Sequence, residues 1–413
     1  MIASVLLALH QPGGSIVEER AYQAWLETPG GPLEFGLVLE RKGEGAWNAF
    51  LRNGEERIEV PKVEFDGTEL LLDMPHYDSR LRARVVSSEE SALRQAGGDT
   101  PSDEQLEGNW EKRRSEEETA HLPFFARRPA MTYCYLQGPT EFSGRWSVHF
   151  ETEKEAAVAV LSQDGTRLSG TFLTVTGDYR YLAGWVGGEE MSLSCFDGAH
   201  AFLFKARLKP DGTLAGDFWS GDWHHETWTA KRDDTAQLAD PFVLTKWNGT
   251  TKLADLAFPD LDGTKRSLGD FAGKATLLVV FGSWCPNCND EAKLLKELDA
   301  KYKERGLRIL GLAFELTGEP ERDAEQVRIF ARRHELALPF FLCGTADKDE
   351  ATKALALVDR VRAFPTTIFV GADGLPKAIH SGFAGPATGE EHQKLRRDFE
   401  ARIEALVGAP PVR

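Results

Sequence analysis

The sequence predicts a two-part chain: an all-β N-terminal part, either an antiparallel sandwich or a barrel, and a C-terminal α/β part built on a mixed sheet. Three observations carry this. From about residue 20 to 235, short segments alternate in side-chain direction and are punctuated by Gly/Asp turns. From about residue 248 onward, strand-like and helix-like patterns alternate. Finally, an apolar run over 277–281 feeds a short turn and a helix start at Pro286, with Cys285 and Cys288 at the junction.

The all-β reading is clearest where Phe202, Phe204, Ala206 and Leu208 point one way and Leu203, Lys205 and Arg207 the other. Turns follow at Gln163-Asp164-Gly165, Thr176-Gly177-Asp178, Val186-Gly187-Gly188 and Lys209-Pro210-Asp211-Gly212. Residues 1–240 are assigned to this part. It also reads as a duplication, with halves of about 20–115 and 140–235. Residues 63–70 and 81–84 resemble 185–191 and 204–207, and each set leads to a tail with glycine and tryptophan, 106–112 and 214–219. Chance similarity among hairpins is the competing reading. Between the halves, 88–118 is rich in Glu, Arg, Ser and Gly and reads as a loop. A connection over 240–246 leads to the second part, 247–413.

Composition narrows the function. The 413 residues are 41% hydrophobic and 10% aromatic, enough for ordinary cores. A net charge of −16 disfavours nucleic acid as a partner. No run approaches the ~20 apolar residues of a spanning helix, so the chain as given is not expected to cross a membrane. Residues 1–9 are apolar but lack a basic n-region and a cleavage site. A clipped signal, a start placed too far downstream and a first strand fit them equally.

The chemistry is expected at Cys285 and Cys288. A strand–turn–helix junction puts the first thiol at a helix N-terminus, where unpaired N–H groups and the helix dipole favour thiolate, and the second one turn in. That is a dithiol redox switch, closing to a disulfide. The zinc reading needs a second close pair of Cys or His. Cys134, Cys195 and Cys343 stand alone, so no metal and no cofactor are expected. Cys343 reads as a buried small hydrophobe, and Cys134 could pair with Cys195 in an exported protein. Glu291, Leu295, Leu298 and Tyr302 share a helix face with Cys288. A Glu291 turned inward would have a raised pKa and could take the Cys288 proton; turned outward it would only favour the helix dipole. Trp284 would shield the site or simply pack.

In the β part, His224, His225 and Glu226 suggest ligands, or a barrel mouth shared with Asp178, Tyr179 and His200. Strand alternation argues against a metal, since His224 and Glu226 face one side and His225 the other. Trp219, Trp223 and Trp228 read as core.

Residues 255–407 resemble the thioredoxin-like TlpA/ResA group of bacterial disulfide reductases. The resemblance rests on Asp260-Leu261-Asp262-Gly263, Gly273-Lys274, Trp284-Cys285-Pro286-Asn287-Cys288, Phe364-Pro365-Thr366-Thr367 and Asp373-Gly374 in that order. It implies a thioredoxin-like fold and thiol-disulfide oxidoreductase activity, with a protein disulfide as substrate. It also implies a location outside the cytoplasm and electrons from a membrane thiol transporter. Pro365 matches the family's cis-proline, with Phe364 helping to set substrate choice. Val279 stands where thioredoxins carry a buried Asp. Two rival functions remain at this level: a thiol peroxidase of the peroxiredoxin type, which would want Pro and Thr ahead of the reactive Cys, and a ligand-binding β protein with an accessory redox module.

Overall fold

The computed structural model describes residues 17–86, 104–128 and 140–408; residues 1–9 and Cys134, on which two of the readings above turn, lie outside them. The described residues build two nine-stranded antiparallel sheets, a two-stranded hairpin and a five-stranded mixed sheet flanked by helices.

The first sheet is formed by β1 (Val17–Thr28), β2 (Gly31–Lys42), β3 (Asn48–Asn53), β4 (Glu56–Glu59) and β5 (Lys62–Phe65). It continues with β6 (Glu69–Met74), β7 (Ser79–Val86), β8 (Glu104–Arg113) and β9 (Thr119–Arg128). The loop expected over 88–118 is corrected here, because Glu104–Arg113 is a full strand paired with both β7 and β9. Its charged residues alternate with Leu106 and Trp110, which are buried, so a polar composition concealed a period of two. The strand order is β4-β3-β2-β1-β9-β8-β7-β6-β5. Among the described residues β4 and β5 do not pair, which leaves this sheet curled but open.

The second sheet is formed by β10 (Gly144–Phe150), β11 (Ala157–Asp164), β12 (Arg167–Thr174), β13 (Gly177–Asp178) and β14 (Leu182–Gly187). β15 (Glu190–Phe196), β16 (Ala201–Leu208), β17 (Thr213–Ser220) and β18 (His224–Arg232) follow. Here β12 pairs with both β11 and β14, and the ring of strands closes into a barrel. The two sheets repeat one order, β2-β1-β9-β8-β7-β6-β5 against β11-β10-β18-β17-β16-β15-β14. An equivalent close approach marks both: Gly108 lies opposite Ala83, and Gly216 opposite Ala206. A Cβ at Gly108 would stand 1.9 Å from Arg82 O, and one at Gly216 2.1 Å from Lys205 O, so neither position admits a side chain.

The barrel is filled by aromatic rings; Phe172 and Phe204 stack at 4.2 Å, and Trp146 and Trp228 close the core around them. Along β16, Phe202, Phe204 and Ala206 face this core, while Leu203 points the other way and is buried with Phe196 and Ala201 in the core of the first sheet. The outer face of the barrel thus completes its neighbour. Of the tryptophans expected in the core, Trp228 is buried there, whereas Trp219 and Trp223 are half-buried against the first sheet.

The C-terminal part begins with a helical turn, α1 (Pro241–Leu244), inside the expected connection; Asp240 Oδ1 caps it by accepting from Phe242 N at 2.9 Å. A small hairpin of β19 (Ala257–Pro259) and β20 (Lys265–Ser267) comes next. Then come β21 (Ala275–Phe281), α2 (Pro286–Tyr302), β22 (Leu307–Glu315), α3 (Pro320–Arg333) and β23 (Phe340–Thr345). The chain ends with α4 (Lys348–Leu355), β24 (Thr366–Gly371), β25 (Pro376–Ser381) and α5 (Glu390–Val407). The sheet order is β23-β22-β21-β24-β25, parallel on one side of β21 and antiparallel on the other, which is the thioredoxin-like topology. All seven residues of β21 are buried, as its unbroken apolar run requires. The strand expected over 339–342 runs on to Thr345, so Cys343 lies within it, with burial pushing its thiol well up. Among the described residues no helix is long and apolar enough to cross a membrane.

One side chain joins all three sheets. Arg180, buried and left-handed at φ 61°, donates from Nη1 to Asp290 Oδ2 at 2.6 Å and from Nη2 to Glu56 Oε1 at 3.0 Å. Its Nε stands 2.9 Å from Asp197 Oδ2, an ion contact rather than an aligned hydrogen bond. Glu56 belongs to the first sheet, Asp197 to the barrel and Asp290 to α2. One cation faces two buried carboxylates, Asp197 and Asp290, and the half-buried Glu56. Burial drives Glu56 up, whereas at Asp290 the nearby Arg180 and Lys293 outweigh burial and hold it down. Removing the cation strands the anions. Arg180→Met is therefore expected to cost about 3–5 kcal/mol, read as a lowered denaturant midpoint; an unchanged midpoint would show that the node contributes nothing to stability.

Candidate functional site

The cysteine pair Cys285 and Cys288 sits where β21 hands over to α2. Cys285 is the N-cap residue of α2, in extended conformation at φ −90° and ψ 117°, and Pro286 fills the first helical position, where its missing N–H costs nothing. Asn289 N donates to Cys285 O at 3.1 Å, so the helix starts on the cysteine itself. Cys288 lies one turn in, within the same helix. Both are buried, Cys285 at 6% exposure and Cys288 at 2%. Burial, reinforced by Cys285, pushes the Cys288 thiol well above its ordinary range.

The turn that carries Cys285 is braced from behind. Ser283 donates both its N–H (2.8 Å) and its hydroxyl (2.6 Å) to the buried Glu315 carboxylate, and Trp284 Nε1 donates to Phe314 O at 2.9 Å. Asn289 Nδ2 donates to Ser283 O and Cys285 O at 3.1 and 3.0 Å. Burial raises Glu315 to about 7. Sequence reading missed Glu315; a carboxylate ending the apolar run of β22 was the available signal.

Opposite the pair, the Phe364–Pro365 peptide bond is cis, and Cys285 Sγ donates to Phe364 O at 3.5 Å. Trp284 packs edge-on against Phe364, with ring centroids 5.7 Å apart. Trp284, Cys285 and Phe364 therefore form one surface.

Glu291 turns inward. It is 1% exposed, and Thr367 Oγ1 donates to its Oε1 at 2.6 Å, while Oε2 has no partner among the described residues. Burial raises its pKa to about 7, against the smaller opposing effect of Thr367. Its charge is felt at Cys288. Thr367 lies cross-strand from Val279, so the carboxylate arrives from the helix beside a strand position that is itself apolar.

The barrel stands directly over this surface. Asn287, between the two cysteines, packs on β13, where a Cβ at Gly177 would come within 2.0 Å of its Nδ2. Asp178 accepts from Gly385 N at 2.5 Å and from Arg180 N at 2.7 Å, with burial raising it to about 6. Between barrel and dithiol lies a cavity of about 520 Å³ lined by Cys285, Trp284 and Phe364 on one side and by Tyr179, His200, His224 and Glu226 on the other. The histidine strand alternates, and His225 faces away toward Asp217 at 2.9 Å. His224 Nε2 pairs with Glu226 Oε1 at 3.0 Å, and Glu226 also accepts from Thr152 N and Oγ1. Asp197 Oδ2 holds His200 Nδ1 at 3.1 Å. Sequence reading missed Arg180 and Asp197, which bring these groups to the dithiol.

The C-terminal part has relatives among known proteins. The AhpC/TSA family model matches residues 250–377, which contain the dithiol and Pro365. The chain is similar to the thiol-disulfide oxidoreductase ResA of Geobacillus kaustophilus, 30% identical over 152 residues, which are 37% of this chain and 74% of that one. It is also similar to the thioredoxin-like protein YneN of Bacillus subtilis, 30% identical over 31% of this chain and 68% of that protein. Among solved structures, a thiol:disulfide interchange protein of the thioredoxin family from Chlorobium tepidum is 18% identical with a TM-score of 0.29, covering 38% of this chain and 99% of that one. Likeness at this level across three quarters of a ResA means that the chain, through its C-terminal part, belongs to the ResA family of thiol-disulfide oxidoreductases.

Proposed function

We propose that the protein is a reductase of protein disulfides working through Cys285 and Cys288, outside the cytoplasm, and re-reduced by a membrane thiol transporter. The observation that carries this is the pairing of a cysteine at a helix N-cap, facing a cavity, with a second, buried cysteine one helical turn in, whose thiol burial and the neighbouring Cys285 hold protonated. In this reading the β part, residues 1–240 with its duplicated halves, presents substrate to the redox part, 247–413.

Cys285, as thiolate, attacks one sulfur of a substrate disulfide. The S–S bond breaks, the outer sulfur leaves as a thiolate and takes a proton, and a mixed disulfide remains on Cys285. Cys288 gives its proton to Glu291 and attacks Cys285 Sγ. The second substrate sulfur is released and protonated, and two electrons have passed from the enzyme dithiol to the substrate. Trp284, Phe364 and Pro365 form the substrate-facing surface around the attacking sulfur.

The AhpC/TSA match supports a second reading, hydroperoxide reduction. Phe281-Gly282-Ser283-Trp284 supplies neither the Pro nor the Thr that this would want ahead of the cysteine. Wild type and Cys285→Ser are to be compared for reduction of a model disulfide and for peroxide consumption. Disulfide reduction lost in the variant is expected; peroxide turnover without disulfide reduction would establish the second reading.

Glu291 supplies the pH dependence. Its folded pKa, about 7, exceeds the ordinary 4.5. Below 4.5 it is protonated whether the chain is folded or not; between 4.5 and about 7 only the unfolded chain gives up the proton, so stability falls as pH rises and levels off once the folded group has also ionised. Glu291→Gln should therefore match wild-type stability at low pH, gain on it steadily from pH 4.5 to about 7 and hold that gain above, as read by denaturant titration. The same substitution should slow resolution of the mixed disulfide on the order of 10²-fold and flatten its rise near pH 7 in stopped-flow traces. A variant resolving at the wild-type rate would remove Glu291 from the mechanism.

A further inference from the structure

In the folded chain the attacking sulfur does not stand on an open, convex face. Cys285 lines a cavity of about 520 Å³ whose far wall is the barrel. Tyr179, Phe218 and Trp223 bring aromatic rings to that wall, and His200 and His224 bring imidazoles. Each imidazole is oriented by a carboxylate through one ring nitrogen. Among the described residues this leaves Nε2 of His200 and Nδ1 of His224 without a partner, available to the N–H or C=O of a peptide.

Size decides between occupants. A stable contact with a folded protein needs roughly 800 Å² of surface from each partner, and the barrel occupies the ground on which such a partner would sit. Cavities of roughly 300–1,000 Å³, lined by aromatic groups with a few fixed polar ones, instead hold a single slender ligand. Nor does the barrel swing aside cheaply. Lifting it would break the Arg180–Asp290 ion pair and the Gly385–Asp178 hydrogen bond and part Asn287 from Gly177.

We infer that the barrel wall is a substrate filter: the dithiol accepts a disulfide carried on a short, extended peptide backbone, whether a free peptide or an unfolded segment of a protein, and rejects one on a folded surface. The inference rests on the dithiol reading above and adds the class of substrate it admits. The side chains next to the substrate cysteine would lie on Tyr179 and Trp223, with its backbone between His200 and His224.

The test holds the disulfide chemistry constant and varies only its bulk. Glutathione is presented to the full chain as its own disulfide, as a mixed disulfide on a denatured carrier protein, and as a mixed disulfide on the surface of the same carrier folded. The first two should be reduced, and the third at least about ten-fold more slowly. Two cavity-filling variants, Ser220→Trp and Glu153→Trp, should slow the first two by a similar factor while leaving the melting temperature unchanged; Glu153 is exposed on the rim, so its replacement does not threaten folding. Equal rates on all three probes, or wild-type rates in both variants, would overturn the filter while leaving the dithiol reading standing. If wild type reduced none of the three, nor a small aromatic disulfide reagent, the dithiol reading itself would fall, and the filter with it.

Discussion

The arrangement of this protein depends on a buried guanidinium. Arg180 contacts Glu56, Asp197 and Asp290, one residue from each of the three sheets or their helices. A buried cation among three carboxylates is not an efficient source of stability, because desolvation offsets much of the Coulombic gain. What it enforces is position. Each carboxylate, if displaced, is left as an uncompensated charge in a dry interior, so the three bodies are held at one relative placement. Asp290 lies two residues beyond Cys288, and the placement so enforced is that of barrel against dithiol.

The site itself is organised by two buried carboxyl groups with different tasks. Glu315 is fully engaged by Ser283 and fixes the turn ahead of Cys285. Glu291 has one oxygen held by Thr367 and one unpartnered, and it lies on the side of Cys288. Burial raises both to about 7, but Glu315 has a donor on each oxygen whereas Glu291 has one on Oε1 alone. The difference is one of hydrogen-bond saturation rather than of pKa.

Much of this was legible in the sequence, for physical reasons that can be named. The α/β part was readable because its signals are local: β21 is an unbroken apolar run, Pro286 marks a first helical turn, and Gly374 a hairpin. The all-β class was readable from the period-two pattern of β16 and its turns. The exception, β8, failed because its outward residues are charged and a glycine, Gly108, breaks the pattern where β7 presses closest. The closure of the barrel and the openness of the first sheet depend on which distant strands meet, and no local window carries that. Arg180 was invisible for the same reason. It sits in a turn between polar neighbours, and its three partners are drawn from positions as far apart as 56 and 290.

Asn287 occupies one of the two positions between the cysteines, and its amide rests on the α-carbon of Gly177 across the gap to β13. In this chain a larger residue at 287, or any side chain at 177, would wedge the barrel away from the sulfur it covers. Residue 287 therefore belongs at once to the turn between the cysteines and to the seam with the barrel, so a change there is felt on both sides.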